Sequence, residues 1–150
     1  MADANLSQIQ AIANSSPLIC LSKAELQDLL GKLYSKVLVP VPVLNEIAQG
    51  KDGDRILRIV QSSSWAEIIK VEIFPEILEW NLESGEGSVI SQAVKEPNLE
   101  ILIDDRLANR CARLYQLKTR GTLGILLLAK RKGVIAELRP SMERIMQAGL

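Results

Sequence analysis

The sequence predicts an α/β protein, a three-layer α/β/α sandwich with a mostly parallel central sheet. Short apolar runs rich in β-branched residues alternate along the chain with segments of helical period, which is typical of strands joined by helical crossovers. Hydrophobic residues make up 47% of the chain but aromatic residues only 3%, so the core must be aliphatic, as in helices packed on a parallel sheet. The 150 residues suit one compact domain, 1–150, without repeats or a linker.

The first third of the chain predicts strand, helix, helix, strand and helix. The run 9–14 is short and mostly apolar, and the serines and proline after it supply a cap and a first helical turn. Apolar residues at helical spacing favour a helix over 24–33. The β-branched run 36–40 ends at a proline, and 41–50 indicates a short helix that stops at a glycine.

The remainder continues the alternation of strands and helices. Segment 53–62 is amphipathic, and 65–73 favours a strand. The stretch 75–96 indicates one or two helices around its two glycines, and 99–103 is a short buried strand. Three further helices are predicted over 106–117, 121–135 and 138–149.

Cysteine usage and hydropathy favour a cytoplasmic protein. Cys20 and Cys111 lie in apolar surroundings without the spacing of a metal finger, which indicates two buried thiols in a reducing compartment. The start of the chain has no export signal pattern, and the apolar run 124–129 is far shorter than the ~20 residues that span a bilayer. We therefore expect no membrane partner.

The net charge of zero hides an asymmetry between two parts of the chain. Residues 106–150 contain ten Lys or Arg and two Glu, a net charge of +8, so residues 1–105 carry −8. This division suits an enzyme that places a basic surface beside an acidic site and acts on a polyanion, although solvated helix faces produce the same count.

Acidic residues follow the predicted strands where a functional crevice is expected. Asp104 and Asp105 come directly after strand 99–103, and Asn14 ends strand 9–14, so they meet at one sheet edge if these strands are neighbours. Glu46 and Glu86 can join them from helices. Carboxylates 4 Å apart repel by about 4 kcal/mol at an effective dielectric constant of 20, so such a cluster requires a reason.

A hard divalent cation is one such reason. Mg²⁺ and Mn²⁺ prefer carboxylate and water oxygens, and the absence of histidine excludes the usual zinc site, a Ser-His-Asp triad and a histidine base. Phosphodiester hydrolysis by metal-activated water suits an acidic pocket near basic helices. Alternatively, Asp105 caps the helix that starts at Arg106, Glu86 interacts with its helix dipole, and Glu46 is simply solvated.

Five motifs follow one another along the chain: NSSPLICL (14–21), VLVPVPVLNEI (37–47), SGEGSVISQA (84–93), LIDDRLANRCA (102–112) and GTLGILLLAKRKGVI (121–135). This ordered set resembles the PIN-domain superfamily, most closely its VapC-toxin-like prokaryotic branch. The resemblance implies a three-layer fold, Mg²⁺ or Mn²⁺ as cofactor and cleavage of RNA. It also implies a toxin type of activity, a small antitoxin protein as partner and a homodimer.

The resemblance assigns roles to residues by position. Catalytic roles fall on Glu46, Glu86, Asp104 and Asp105; metal ligation falls on Asn14, Glu46, Glu86 and Asp105; nucleic-acid contacts fall on Ser16, Arg106 and Thr122. Asn14 departs from the family pattern because an amide stands where the first acid is expected. Ser16 and Thr122 are also candidate helix caps, and Glu83 is either a substitute acid or a surface residue.

Three other interpretations follow from the same residues. The pair in ILIDD (101–105) also occurs in receiver domains, but there it follows the first strand, and here the residues after Asp105 contain no Asp. A catalytically lapsed PIN domain that binds nucleic acid or regulates a partner is the main alternative, because of Asn14. A purely structural oligomer would leave the carboxylates unexplained.

Overall fold

Five parallel strands form the centre of the molecule in a computed structural model that describes residues 9–149. The ends of the predicted domain 1–150, residues 1–8 and 150, lie outside the described residues. The strands are β1 (Gln10–Ala13), β2 (Lys36–Pro40), β3 (Ala66–Ile69), β4 (Glu100–Leu102) and β5 (Thr119–Arg120). Their order across the sheet is β3-β2-β1-β4-β5, and every neighbouring pair is parallel.

Helices connect the strands and cover the sheet. They are α1 (Ser15–Lys23), α2 (Asp28–Leu33), α3 (Val41–Gln49), α4 (Gly53–Ser62), α5 (Pro75–Leu78), α6 (Ser84–Lys95), α7 (Arg106–Leu114), α8 (Thr122–Arg131) and α9 (Leu138–Gln147). Helix α6 crosses β1, β2 and β4 and contacts α3, α5 and α7, whereas α1, α2, α8 and α9 contact one another. The predicted three-layer α/β/α fold is confirmed, and all strands of the described sheet are parallel.

Several element boundaries differ from those predicted. The strand predicted over 65–73 ends at Ile69 because its only partner, β2, ends at Pro40, the residue that pairs with Ile69. The stretch 75–96 forms two helices, α5 and α6, with Asn81 between them in a left-handed conformation at φ 57°. Strand β5 was not predicted, because two polar residues are too short to show a period of two.

Several predicted helices are shorter in the structure, among them 106–117, which ends at Leu114. The helix predicted over 24–33 begins only at Asp28, because Glu25 adopts a left-handed conformation at φ 59° between α1 and α2. The helix predicted over 121–135 ends at Arg131, and Gly133, at φ 75°, turns the chain toward α9. A glycine in this conformation is a common end for a helix because it has no Cβ to clash.

The core is aliphatic, as the composition predicts. Side chains from β1, β2 and β4 are fully or almost fully removed from solvent, among them Ile12, Val39 and Leu102. Burying each such side chain contributes roughly 1.5–3 kcal/mol. Both cysteines are free thiols, Cys111 buried and Cys20 half-buried, and burial raises the pKa of each thiol.

A polar contact holds the short edge strand β5 in place. Arg120 on β5 forms an ion pair with Glu100 on β4, and the hydroxyl of buried Tyr34 donates to the same carboxylate at 2.6 Å. Burial together with this bond raises the pKa of Tyr34 well above its usual range. Because β5 leads directly into α8, these contacts also fix the position at which α8 begins.

Candidate active site

The sheet changes direction of winding between β1 and β4, and this is where the acidic residues meet. On one side of β1 the sheet continues through β2 to β3, and on the other side it continues through β4 to β5. Ala13 pairs with Leu102, and the Asn14 N–H donates to the Leu102 carbonyl at 2.9 Å, so Asn14 and Asp104 follow adjacent strand ends. The expectation that β1 and β4 are neighbours in the sheet is confirmed. Open parallel sheets bind ligands at such a point.

Asp104 is held by three hydrogen bonds from two helices. Its Oδ1 accepts the Thr122 N–H at 2.7 Å, and its Oδ2 accepts the Thr122 hydroxyl at 2.7 Å and the Ser16 hydroxyl at 3.0 Å. Thr122 is fully buried. A Cβ on Gly121 would lie 2.9 Å from Oδ1, so glycine permits this close approach. We call Ser16, Asp104 and Thr122 the Asp104 anchor, because they join the starts of α1 and α8 to the end of β4.

Asp105 points its carboxylate toward the start of α7. Its Oδ2 accepts the Ala108 N–H at 2.9 Å, which makes Asp105 the N-cap of this helix. The residue is exposed. The predicted capping role is therefore present, and it uses one of the two carboxylate oxygens.

Glu46 is positioned by the starts of two other helices. One oxygen accepts the Gly85 N–H at 3.0 Å, and the other accepts the Ser15 hydroxyl at 3.3 Å. A Cβ on Gly85 would overlap the Glu46 carboxylate, so a residue with a side chain does not fit there without displacing Glu46. The contact brings α3 and α6 together at the edge of the site.

Glu86 is a buried carboxyl group among other acids. It is 9% exposed and accepts the Glu83 N–H at 3.3 Å. Burial, followed by the charge of Asp105, raises the pKa of Glu86 from 4.5 to about 7, and the charges of Glu83 and Glu46 add to the rise. The bond from the Glu83 N–H opposes the rise only in part. Glu86 is therefore about half protonated at neutral pH unless a cation neutralises its neighbours.

Asn14 carries a polar atom without a partner. The side chain is 5% exposed, and its Oδ1 has no hydrogen-bond partner among the residues that the structure describes. Although Asn14 stands at the N-cap of α1, its side chain makes no capping bond. An unsatisfied buried carbonyl costs about 1–3 kcal/mol, so such an atom in a native fold requires a ligand or another explanation. We call Asn14, Glu86 and Asp105 the open side of the site.

The structure places the predicted site residues at the same end of the sheet. Direct contacts join Ser16 and Thr122 to Asp104, and electrostatic proximity joins Glu86 to Asp105 and Glu46. The roles predicted for these residues in catalysis, metal binding and RNA binding stay predictions. Sequence reasoning missed Ser15 and Gly85, although a glycine in the first turn of a helix signals a close approach.

A family model described as a PIN domain matches residues 10–150. The chain belongs to the PIN-domain family. A comparison with curated proteins finds no match. The PIN domain match and the parallel sheet agree on a nuclease-type fold.

PIN domains generally use divalent metal ions, and the residues at this site fit one. Every donor is a carboxylate or amide oxygen, which suits Mg²⁺ or Mn²⁺, and the orphaned Oδ1 of Asn14 is available as a ligand. Within residues 9–149, however, no group of three or more acidic or cysteine side chains is arranged to hold a metal ion. Mg²⁺ needs only one or two carboxylates and keeps several waters, so the smaller donor set is sufficient.

A basic surface adjoins this acidic site in the PIN domain. Helix α7 begins at Arg106 immediately after Asp105, and one face of the helix lines an open depression of about 280 Å³. The lining residues are Arg106, Asn109, Arg110 and Arg113. In the described part of the chain, no helix is long and apolar enough to cross a bilayer.

Proposed function

We propose that this PIN domain is a Mg²⁺- or Mn²⁺-dependent endoribonuclease that hydrolyses RNA phosphodiesters. The observation that carries the proposal is the open side of the site, where the buried, unpartnered amide oxygen of Asn14 and the carboxylate of Asp105 follow the ends of β1 and β4 and Glu86 lies close to Asp105. A cation would satisfy Asn14 and relieve the repulsion that raises the pKa of Glu86.

The proposal divides the residues by role. Of the predicted ligands Asn14, Glu46, Glu86 and Asp105, the Asn14 amide and one or two of the carboxylates would hold the ion, with Asp104 held beside them by Ser16 and Thr122. A bound Mg²⁺ or Mn²⁺ supplies a water of lowered pKa and neutralises charge that develops at phosphorus. Glu46 is held by Gly85 and Ser15, so its carboxylate is oriented before a ligand arrives.

The arginines of α7 suit the phosphate backbone of the RNA. Arg106, Arg110 and Arg113 share one exposed face, and guanidinium groups pair with phosphates in bidentate geometry. Asp105 and Arg106 are adjacent in sequence, so a strand on this face has a phosphate within reach of the acidic residues. In the structure the hydroxyls of Ser16 and Thr122 donate to Asp104, and contact of these two residues with RNA stays a prediction.

The resemblance to VapC-type toxins supports a finer proposal. We propose an activity of toxin type, controlled by a small antitoxin protein, and a homodimeric assembly. A short reading frame beside the gene, whose product copurifies with the PIN domain, would support the antitoxin. Sedimentation of the purified protein measures the assembly directly.

A catalytically lapsed domain is the second candidate, and Asn14 favours it. An amide lowers the negative charge of the metal site, and the described residues do not present three carboxylates to one ion. In that case the arginine face of α7 would still bind RNA, and the protein would act as a regulatory or nucleic-acid-binding module.

A cleavage assay on unstructured RNA with Mg²⁺ or Mn²⁺ tests the two candidates. We expect cleavage by the wild type, a loss of at least a hundredfold in Glu86→Gln and Asp105→Asn, and no loss in Glu143→Gln, an exposed acid on α9. Binding of RNA without cleavage, and without saturable binding of either metal in calorimetry, would establish the lapsed module instead.

A further inference from the structure

We propose that a depression on the α3 side of the site is a nucleobase subsite that selects bases with an exocyclic amino group over uracil at the cleavage position. The inference rests on the proposed function, because it assigns the sequence preference of the same site. The depression has a volume of about 380 Å³ and is lined by Pro42, Asn45, Glu46, Gln49 and Ser84.

The depression is continuous with the acidic site. Glu46 lines it and is also the carboxylate that Gly85 and Ser15 hold at the edge of the site. The depression lies beside α3 and the start of α6, whereas the arginine face belongs to α7. A strand whose phosphates follow α7 therefore has a second, differently composed surface available for the base next to the scissile bond.

The lining has the chemistry of base recognition. Asn45 and Gln49 are exposed and one helical turn apart on α3, so both amides face the same ligand. Asparagine and glutamine amides pair with the adjacent donor and acceptor of a base edge, as in their bidentate contact with adenine. Pro42 adds an apolar surface. The volume lies at the small end of the range for small-molecule sites, which suits a single base.

Charge decides which bases fit. The Glu46 carboxylate lines the depression, and Glu83 is the exposed residue directly before Ser84. Carboxylates attract exocyclic amino groups, as in acidic contacts with N4 of cytosine, and repel carbonyl oxygens. Adenine, cytosine and guanine each carry an exocyclic amino group that can donate to a carboxylate, whereas uracil carries only carbonyl oxygens outside its ring. The subsite should therefore favour the three amino bases over uracil.

The test uses the full chain and two measurements. Cleavage positions are mapped on an unstructured RNA of random sequence with Mn²⁺, and binding is measured by fluorescence anisotropy on hexanucleotides that vary one central base, with Ca²⁺ in place of Mn²⁺. The variants are Asn45→Ala, Gln49→Ala and the double variant, and the matched control is Gln61→Ala, an exposed glutamine on α4. Circular dichroism checks that each variant folds.

We expect the wild type to prefer the amino bases over uracil by about tenfold, the double variant to retain less than twofold, and Gln61→Ala to match the wild type. The ranking of adenine, cytosine and guanine identifies the preferred base within this chemistry. The wild type could bind RNA with the same base preference but not cleave it, while the double variant loses the preference. That result would support the subsite and contradict the nuclease function. Equal preferences in wild type and double variant, or none in the wild type in either measurement, would overturn the subsite.

Discussion

The two sides of the acidic site differ in how many hydrogen bonds their polar side chains accept. In the Asp104 anchor, three donors surround one carboxylate and tie β4 to α1 and α8. On the open side, the Asn14 carbonyl has no partner among the described residues, and Glu86 is raised in pKa by burial and by Asp105. The adjacent aspartates therefore differ: both oxygens of Asp104 accept hydrogen bonds that tie three elements together, whereas Asp105 caps α7 with one oxygen and raises the pKa of Glu86 by its charge.

The largest expected difference between the two sides is in the effect of replacing each adjacent aspartate by asparagine on the free energy of unfolding. We expect Asp104→Asn to lower the free energy of unfolding by about 3 kcal/mol, since three charge-assisted hydrogen bonds become neutral and both hydroxyls must turn to accept from the amide. Asp105→Asn should change it by less than about 0.5 kcal/mol, because asparagine is an equally good N-cap. Urea unfolding without metal measures both, and equal losses would contradict the assigned division.

The free energy of unfolding should depend on pH because of Glu86, on the open side of the site. The folded carboxyl titrates at about 7 and the unfolded one at 4.5, so between these values the folded state binds more protons. The free energy of unfolding therefore falls as pH rises through this window, by about 3 kcal/mol in total. Glu86→Gln lacks this loss and should gain about 3 kcal/mol relative to the wild type between pH 4 and pH 8.

Urea unfolding of both proteins at the two pH values, in the presence of EDTA, checks this expectation. Glu143→Gln serves as the control, because this exposed acid should follow the wild type at both values. A stability difference between Glu86→Gln and the wild type that does not change with pH would contradict the raised pKa. Saturating Mn²⁺ should reduce the difference at pH 8, since binding favours the ionised carboxylate.

A methyl group at residue 85 should disturb Glu46. In Gly85→Ala the Cβ overlaps the Glu46 carboxylate, so we expect a loss of about 2 kcal/mol in the free energy of unfolding and weaker binding of Mn²⁺. Gly50→Ala is the matched control, because a Cβ there meets nothing closer than 3.6 Å and the backbone has a negative φ of −86°. Thermal unfolding and calorimetry measure the two effects; a wild-type affinity for Mn²⁺ in Gly85→Ala would exclude Glu46 as a ligand.

A carboxylate at residue 14 should strengthen metal binding on the open side of the site. Asn14→Asp places a negative charge beside the open side, so we expect binding of Mn²⁺ to tighten by about tenfold, or about 1.4 kcal/mol. The same variant should be less stable than the wild type in EDTA, because the added charge is buried. Calorimetry on both proteins provides the affinity; an unchanged or weaker affinity would show that the amide is not at the ion.

The placement of Asn14 and Asp104 at adjacent strand ends could be predicted, whereas the contacts of each side chain could not. Apolar runs that end at Asn14 and Asp104 place both residues at one edge once their strands are neighbours, and that order followed from a resemblance. The donors that surround Asp104 come from Ser16, 88 residues away, and from Thr122. No local period encodes such contacts, so the sequence offered only the ambiguity between a helix cap and a ligand.

The elements that were missed share one physical cause. Strand β5 has two residues, and its position depends on the ion pair of Arg120 with Glu100 on β4. The function of Gly85 depends on a carboxylate from another helix, Glu46. Both depend on tertiary partners, whereas the well-predicted helices depend on their own apolar faces.

The Asp104 anchor also determines when during synthesis the site can form. Its hydrogen bonds join Ser16, near the beginning of the described chain, to Asp104 and then to Thr122. A nascent chain on the ribosome can complete this junction only after Thr122 has left the exit tunnel, and contacts of such separation form slowly. A partly translated chain therefore lacks an assembled acidic pocket.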